Sequence, residues 1–553
     1  MKTLFLLKIS FIVALGVFLG ACSDNESKTD NVQSYAVFFQ EQLTIPASAG
    51  EVIVMMGWSC TSWEIVMDAD IGMITKISQT QGGNSDDVSN QYAQITFQYN
   101  ENSTSETRKQ EIFLINKTTK ERFKLVIEQE SHYLSLPITL DANIKYQHVV
   151  GFGGMYNPKI WTPSNLITDT EITKMYSVDG LGYNILRLMV YPNESDWGAD
   201  VRGAKLAQQY GAIIFASPWD CTDAFADEVV VNGSEHKHLK HEHYQDYANH
   251  LIKYINYMKD NGVNLYAISV QNEPDMDFTF WYPQEVVDFV KEYGDQIRTT
   301  GVKLMAPEAC GMSPEYTDPI LNDAAAFAQT DIVAGHLYQG FVKINESSYV
   351  KNRHDYICGL YNSRLASAGK TWWMTEHLFN DGEGESNPAL WQFRDWSYNM
   401  ENLAQEIHMS MEGYCSAYIY WYLKRFYGMI GDNDSRSPVA LGDVAKNGYI
   451  LSHYAQYASD MVRINVDTGD PEVEATAYVN HQETEITIVL LNMKNQGFNA
   501  QINYPSALNS VIAVETTEDK NMENIETHIA DDKKSVTVFL SANGITSVRL
   551  TLE

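Results

Sequence analysis

The chain has 553 residues, 44% of them apolar, which is enough to bury more than one sizeable core and argues against disorder as its default state. Its 71 acidic residues outnumber its 39 basic ones, giving a formal charge of −32, so nonspecific binding to nucleic acid is excluded: phosphate recognition needs basic surface. The cysteines Cys22, Cys60, Cys221, Cys310, Cys358 and Cys415 are scattered, with no Cys-x-x-Cys pair, and support neither a zinc site nor a disulfide framework.

Residues 1–21 begin with Lys2 and Lys8, run apolar from Ile9 to Leu19 and end in Leu19-Gly20-Ala21-Cys22. A basic start, a short apolar run and small residues before a cysteine read as a cleaved export signal, too short to span a bilayer. The ending resembles a bacterial lipobox, which implies that Cys22 is the first mature residue, carries lipid and anchors the protein to a membrane. Ser23-Asp24-Asn25-Glu26 is similar to the acidic signal that sends Bacteroidetes lipoproteins to the outer cell surface, so the outer membrane is the expected location. Residues 22–33 are polar without an apolar period and read as a tether.

From residue 34 to 131 short β-rich runs (Glu51 to Met56, Gln94 to Tyr99, Glu111 to Ile115, Phe123 to Glu128) alternate with turn-forming stretches such as Gln81-Gly82-Gly83-Asn84, which predicts an immunoglobulin-like β-sandwich. The Trp58 to Trp63 stretch, the glycine-rich turn and the closing Leu125-Val126-Ile127-Glu128-Gln129 resemble the BACON domain of Bacteroidetes carbohydrate-processing lipoproteins. Trp58 and Trp63 are read as core residues in preference to a sugar platform, and the domain as a spacer.

Between residues 148 and 454, β-like runs alternate with helical stretches, the pattern of a parallel sheet with crossover helices. Strands are expected near Val149 to Phe152, Asn184 to Val190, Ala212 to Ala216, Leu265 to Val270, Lys303 to Ala306, Ile332 to His336, Thr371 to Met374 and Ala417 to Tyr420, with helices such as His243 to Asp260 and Pro283 to Arg298. Eight such units predict a (β/α)₈ barrel. Residues 455–553 return to short strands, Val473 to Val479, Glu485 to Leu491, Ser510 to Val514, Ser535 to Leu540 and Thr546 to Thr551, a second β-sandwich that residues 133–146 are expected to join.

The ends of barrel strands, with the loops after them, build the active site of this architecture. Strand four ends in Ser269-Val270-Gln271-Asn272-Glu273-Pro274 and strand seven in Trp372-Trp373-Met374-Thr375-Glu376, so two carboxyls face each other across the barrel mouth. That pair suits glycosidic bond cleavage: one carboxyl protonates the leaving oxygen while the other attacks the anomeric carbon or activates water. At about 5–5.5 Å the second is a nucleophile and configuration is retained. Glu273 is the candidate acid/base and Glu376 the candidate nucleophile. Their proximity favours one protonated and one ionised carboxyl near neutral pH. Asn272 is placed to hold a sugar 2-hydroxyl. Arg187, ending strand two, is placed to orient the nucleophile, and Trp219, His336, Tyr338 and Trp421 offer aromatic faces and polar tips for sugar rings.

The ordered series Gly151-Phe152-Gly153-Gly154, Ile185-Leu186-Arg187, Ala216-Ser217-Pro218-Trp219, Tyr247-Ala248-Asn249-His250, Asn272-Glu273-Pro274, His336-Leu337-Tyr338 and Trp373-Met374-Thr375-Glu376 resembles glycoside hydrolase family 30. The resemblance implies retaining hydrolysis of a β-linked polysaccharide and a C-terminal sandwich fused to the barrel. The run Trp421 to Gly428 is similar to the family's bacterial glucuronoxylanases, which cut xylan beside a methylglucuronic acid branch. There an arginine and a tyrosine at the positions of Arg425 and Tyr427 hold the branch carboxylate, and a guanidinium matches a carboxylate with paired donors. A uronate ligand would also account for the Lys424-Arg425 pair in so acidic a protein. Lys424, Phe426 and Met276 depart from the usual pattern, and Arg425 could instead pair with a nearby acid.

His236, His238, His241 and His243 lie in a charged stretch without a matching carboxylate frame and read as a solvated loop, not a metal site. Gly151-Phe152-Gly153-Gly154 lacks the spacing of a dinucleotide loop and reads as close backbone packing. No metal or cofactor is expected, and a monomer is. The expected function is endo-acting hydrolysis of β-1,4-xylan. The alternatives are another specificity on this scaffold, such as a β-1,6-glucanase or β-glucosidase, and a noncatalytic glycan-binding surface lipoprotein.

Overall fold

The structure, a computed structural model, describes residues 34–86, 88–104, 106–131, 135–276, 278–338, 355–378 and 395–553. Cys22 and the tether lie outside the described residues. The chain divides into two compact units at residues 132 and 133.

The first unit is a pair of β-sheets. One has the strand order Tyr35–Phe38, Gly50–Ser59, Gln91–Tyr99, Ile74–Ile77, and the other Gln42–Ile45, Arg122–Gln129, Arg108–Asn116, Thr61–Val66, Gln81–Asn84. Alternation along each strand turns Val54, Met56, Trp63, Phe97, Leu114 and Ile127 into one core between them. Trp63 is buried and Trp58 packs edge-on against it at 5.7 Å, so both tryptophans serve packing. The stretch Gln81-Gly82-Gly83-Asn84 is a strand paired with Thr61–Glu64, not the turn its glycines suggest. The reason is space. A Cβ on Gly82 would stand 2.7 Å from the Trp63 ring, and one on Gly83, at φ +73°, 2.5 Å from the Thr61 carbonyl oxygen.

In the second unit eight parallel strands close into a barrel: β1 (Gly151–Met155), β2 (Ile185–Val190), β3 (Ile213–Pro218), β4 (Leu265–Ser269), β5 (Lys303–Ala309), β6 (Ile332–His336), β7 (Thr371–His377) and β8 (Cys415–Tyr420). Helices cover the outside and side chains fill the inside, so the strands are apolar on both faces. The interior plug is built around Phe215, Met305, Trp373 and Ile419. Gly153 permits closure: a Cβ there would lie 1.7 Å from the Ile185 carbonyl oxygen on the neighbouring strand.

Between β3 and the helix Tyr244–Asp260 the chain forms a hairpin, Ala226–Val231 with Ser234–Leu239, extended by Thr279–Phe280 into a three-stranded sheet. His236 and His238 therefore lie on a strand and not in a solvated loop, while His241 and His243 lie in the short helical turn after it, where His241 is exposed. The hairpin's signal was the Asn232-Gly233 pair, which supplies the two positive φ values of a tight hairpin turn. Among these histidines His238 lies between Asp227 at 2.8 Å and Glu285 at 2.9 Å, and His243 pairs with Asp246.

The side domain is one ten-stranded sheet that curls so that both ends share a core of Ile138, Val473, Ile488, Leu508, Val536 and Val548. Its centre is the long strand Ser135–Val149, antiparallel to Met461–Asp467 and parallel to Phe498–Asn503, a strand without counterpart in the sequence reading. Val149 closes this strand, and the barrel starts at Gly151. Gln147 donates to the carbonyls of Met411 and Cys415, tying the sheet to the barrel. His453, on the helix Lys446–Ala458, bonds Ser547 and Thr516 and is pushed down to about 3 by burial, so it is a neutral crosslink at any ordinary pH.

Candidate active site

The carboxyl-terminal ends of the barrel strands gather most of the candidate residues into one buried network. Past β4, the Asn272 N–H donates to the Pro218 carbonyl at 2.7 Å and the Glu273 N–H to the Glu308 carbonyl at 3.0 Å. Glu273 and Glu308 both have left-handed backbones, φ +45° and +61°. Such conformations cost about 1–2 kcal/mol per non-glycine residue, so the surrounding bonds over-determine them to aim the two side chains inward.

Glu376, on β7, receives Arg187 Nη1 on Oε2 at 2.5 Å and the Tyr338 hydroxyl on Oε1 at 2.8 Å. Arg187, fully buried on β2, also donates to Asn272 Oδ1, to Glu308 at 3.1 Å and to Ser217 at 3.3 Å. Its guanidinium lies 4.3 Å from the centre of the Trp219 ring. On the other side His336 Nδ1 is 2.8 Å from Glu273 Oε1, and its Nε2 is 3.7 Å from Glu308, an ion-pair contact too long for a hydrogen bond. One carboxylate oxygen of Glu273, one of Glu376 and a ring nitrogen of His336 lie within 4.8 Å of one another.

Glu308 is absent from the sequence candidates, because the apolar run predicts β5 only as far as Ala306. It continues through Pro307 to Ala309 and carries Glu308 to the barrel mouth. Position at a strand end, the criterion that picked out Glu273 and Glu376, would have found it. Burial alone would raise the Glu308 carboxyl, but Arg187 and His336 beside it overcome burial and hold it at about 2. Burial would lower His336, but Glu376, Glu273 and Glu308 around it raise it to about 9. Burial raises the Glu376 carboxyl, with Glu273 adding to the rise and His336 and Arg187 opposing it. Two cations and three carboxyls thus share one dry volume, and a single proton on a carboxyl makes the set neutral.

Asn272 Nδ2 is buried without a hydrogen-bond partner. A buried donor left unbonded is costly unless a ligand completes it. Tyr338 stacks on His377 at 5.1 Å, and His377 bonds Glu406 at 2.9 Å, which fixes the tyrosine ring. Trp219 is buried, with Trp161 at 5.6 Å and Trp421 at 5.5 Å, and Trp421 is half-buried. Trp161, absent from the sequence candidates, adds Phe278 to this aromatic wall at 5.5 Å.

The Trp421 to Gly428 stretch divides in its roles. Lys424 is buried, 2.9 Å from Glu171 and 3.1 Å from the Leu166 carbonyl, so its charge is spent inside the protein and is not offered to a ligand as the sequence suggested. Arg425 is half-buried beside the Phe426 and Tyr427 rings, 5.7 and 5.9 Å from their centres. Tyr427 is fully buried. The nearby Asp434 is engaged by Arg436, which with its backbone amide holds the carboxyl at about 2, and the charge of Arg425 adds to the lowering.

Glu273, His336 and Glu376 are the donor set a metal would use here. The Arg187 cation, 2.5 Å from Glu376, competes directly with an ion, so the arrangement favours hydrogen-bonded carboxyl chemistry.

No family model matches the chain. The glucuronoxylanase XynC of Bacillus subtilis is 33% identical over 367 residues, which cover 66% of this chain and 79% of that enzyme. Among solved structures, a family 30 endoxylanase from Clostridium papyrosolvens is 30% identical and superposes with a TM-score of 0.62, covering 75% of this chain and 100% of its own. A glycoside hydrolase family 30 subfamily 8 xylanase from Clostridium acetobutylicum is 26% identical with a TM-score of 0.61, covering 75% and 99%.

Proposed function

The chain belongs to glycoside hydrolase family 30, a glycosidase with a polysaccharide substrate, and from that premise we propose that it is a retaining, endo-acting hydrolase that cuts β-1,4-xylan beside a methylglucuronic acid branch. The observation that carries the reading is the approach of the Glu273 and Glu376 carboxyl oxygens to within 4.8 Å. That gap admits a sugar carbon but not a sugar plus a water, so it suits direct attack.

In the first step a Glu376 oxygen bonds the anomeric carbon as the glycosidic C–O bond breaks, and Glu273 gives its proton to the departing oxygen. In the second, water attacks that carbon, Glu273 takes the water's proton and Glu376 leaves as carboxylate. Arg187 and Tyr338 hold Glu376 in attacking position and receive its charge back at the end. Asn272 Nδ2 supplies a donor for the 2-hydroxyl. Arg425 is the branch-carboxylate anchor, supported by its half-exposed place in the stretch after β8.

The test is mass-spectrometric mapping of products from glucuronoxylan and from arabinoxylan lacking uronic acid, with Glu376→Gln as control. Products that all carry one methylglucuronate at a fixed distance from the reducing end support branch-directed cleavage. Neutral products from both substrates refute the branch, and wild-type turnover no higher than the control's refutes the enzyme. Nuclear magnetic resonance of the first-formed anomer tests retention. We further propose that lipid on Cys22 anchors the protein in the outer membrane with the N-terminal unit as spacer; Cys22→Ala should then be released to the soluble fraction.

A further inference from the structure

At the opposite end of the barrel from the carboxyl cluster, three segments distant in sequence bring two histidines and an aspartate together. His148 lies near the end of strand Ser135–Val149, Asp460 in the turn before Met461–Asp467, and His481 in the turn between Val473–Val479 and Glu485–Asn492. His148 Nε2 is 2.9 Å from Asp460 Oδ1, and His481 Nε2 is 3.4 Å from the same oxygen. The two rings are tilted at 37° with centres 5.1 Å apart, and one ligand atom from each of the three residues lies within 4.8 Å of the others.

We propose that this triad is a binding site for one zinc-class divalent ion, held by two imidazole nitrogens and one carboxylate oxygen. Zinc takes nitrogen and oxygen at about 2.0–2.2 Å, which puts tetrahedral ligands about 3.3 Å apart. The observed 2.9 and 3.4 Å bracket that length for the two edges that meet at Asp460 Oδ1, and the third, between the two imidazole nitrogens, lies within 4.8 Å, so a small turn of the rings completes the face. The side chains are 40%, 76% and 52% exposed for His148, Asp460 and His481, which leaves room for water at the fourth position. Two imidazoles select zinc and its neighbours over calcium and magnesium, which demand oxygen shells. The ion would clamp the strand entering the barrel to two turns of the side domain, and its binding free energy would add to the stability of the joined fold.

The site is separate from the proposed chemistry, so its failure and that of the hydrolase reading are distinguishable. The experiment is isothermal titration of zinc into chelator-treated full-length protein, compared with His481→Gln and with Asp460→Asn. Asp460 has φ +57°, a conformation asparagine adopts readily, so that variant keeps the backbone even if the first does not fold. Expected are one zinc per chain in the wild type, a higher melting temperature with zinc, and affinity weakened at least about tenfold in both variants, since even an outer-shell change costs that much. Metal-free hydrolysis should be unchanged in both. Glu376→Gln should keep the zinc, which excludes the carboxyl cluster as its seat. Absence of binding in the wild type, binding unchanged in Asp460→Asn, or equal binding of magnesium would overturn the proposal.

Discussion

Replacing Glu308 by glutamine removes a negative charge that has no exposure to water and that Arg187 contacts at 3.1 Å, Ser217 at 3.0 Å and His336 at 3.7 Å. Its depression from 4.5 to about 2 corresponds to about 3 kcal/mol of stability at neutral pH. That agrees with the 3–5 kcal/mol typical of breaking a buried ion pair, at the lower end because glutamine still accepts a hydrogen bond. A carboxyl lowered on folding contributes fully above 4.5, and the contribution fades as pH falls through about 2. The variant should therefore melt a few degrees below wild type at pH 7, and the difference should shrink in strong acid. His336, raised to about 9, contributes fully below 6.5 and loses its contribution as pH rises through about 9. Without Glu308 one of its three supporting charges is gone, so its titration falls and the alkaline limb of kcat/KM, which belongs to the coupled cluster, moves to lower pH. Differential scanning calorimetry and a pH–rate profile read the two effects. An alkaline limb that stays in place together with an unchanged melting temperature would refute the claim that Glu308 sets the charge state of the network.

Lys424→Met should cost about 3–5 kcal/mol, because Glu171 is left charged and buried, yet leave substrate preference unaltered. Arg425→Ala should lower turnover of uronate-branched xylan about tenfold or more while sparing turnover of xylan without uronate; product yields on the two xylans read the difference. Gly153→Ala should prevent barrel closure, since a Cβ 1.7 Å from the Ile185 carbonyl has nowhere to go; a cooperative near-ultraviolet melt from that variant would contradict the packing. Trp63→Ala should destabilise the N-terminal unit by about 3–5 kcal/mol and leave hydrolysis rates as they are, which limited proteolysis alongside an activity assay would check.

Much of this protein was legible one residue run at a time. The eight barrel strands show as apolar stretches spaced by helices, because strands covered on both faces must be apolar throughout, and the two carboxyls stand out as charged residues ending such stretches. Arg187 was readable from burial, since a charge in a strand otherwise apolar throughout needs a partner in the fold, though it stands inside Ile185–Val190 and not at the strand's end. Local pattern misled where one neighbour across space decided the outcome. Gly82 and Gly83 look like a turn but lie flat in a strand because Trp63 and Thr61 occupy the space a side chain would need. Lys424 looks like a ligand-binding charge until Glu171, 253 positions away, is found beside it.

Periodicity along the chain was enough for the barrel architecture and for placing Glu273 and Glu376 at its mouth, since both depend on burial and on position along a strand. What only the tertiary structure decided is how charges are shared: Glu308 with Arg187 and His336, Glu376 with Arg187 and Tyr338, and His148 and His481 with Asp460. The physical reason is range. Burial of a strand is set by its own side chains, whereas the charge state of a buried group depends on whichever partners barrel closure brings within a few ångströms, from anywhere in the chain.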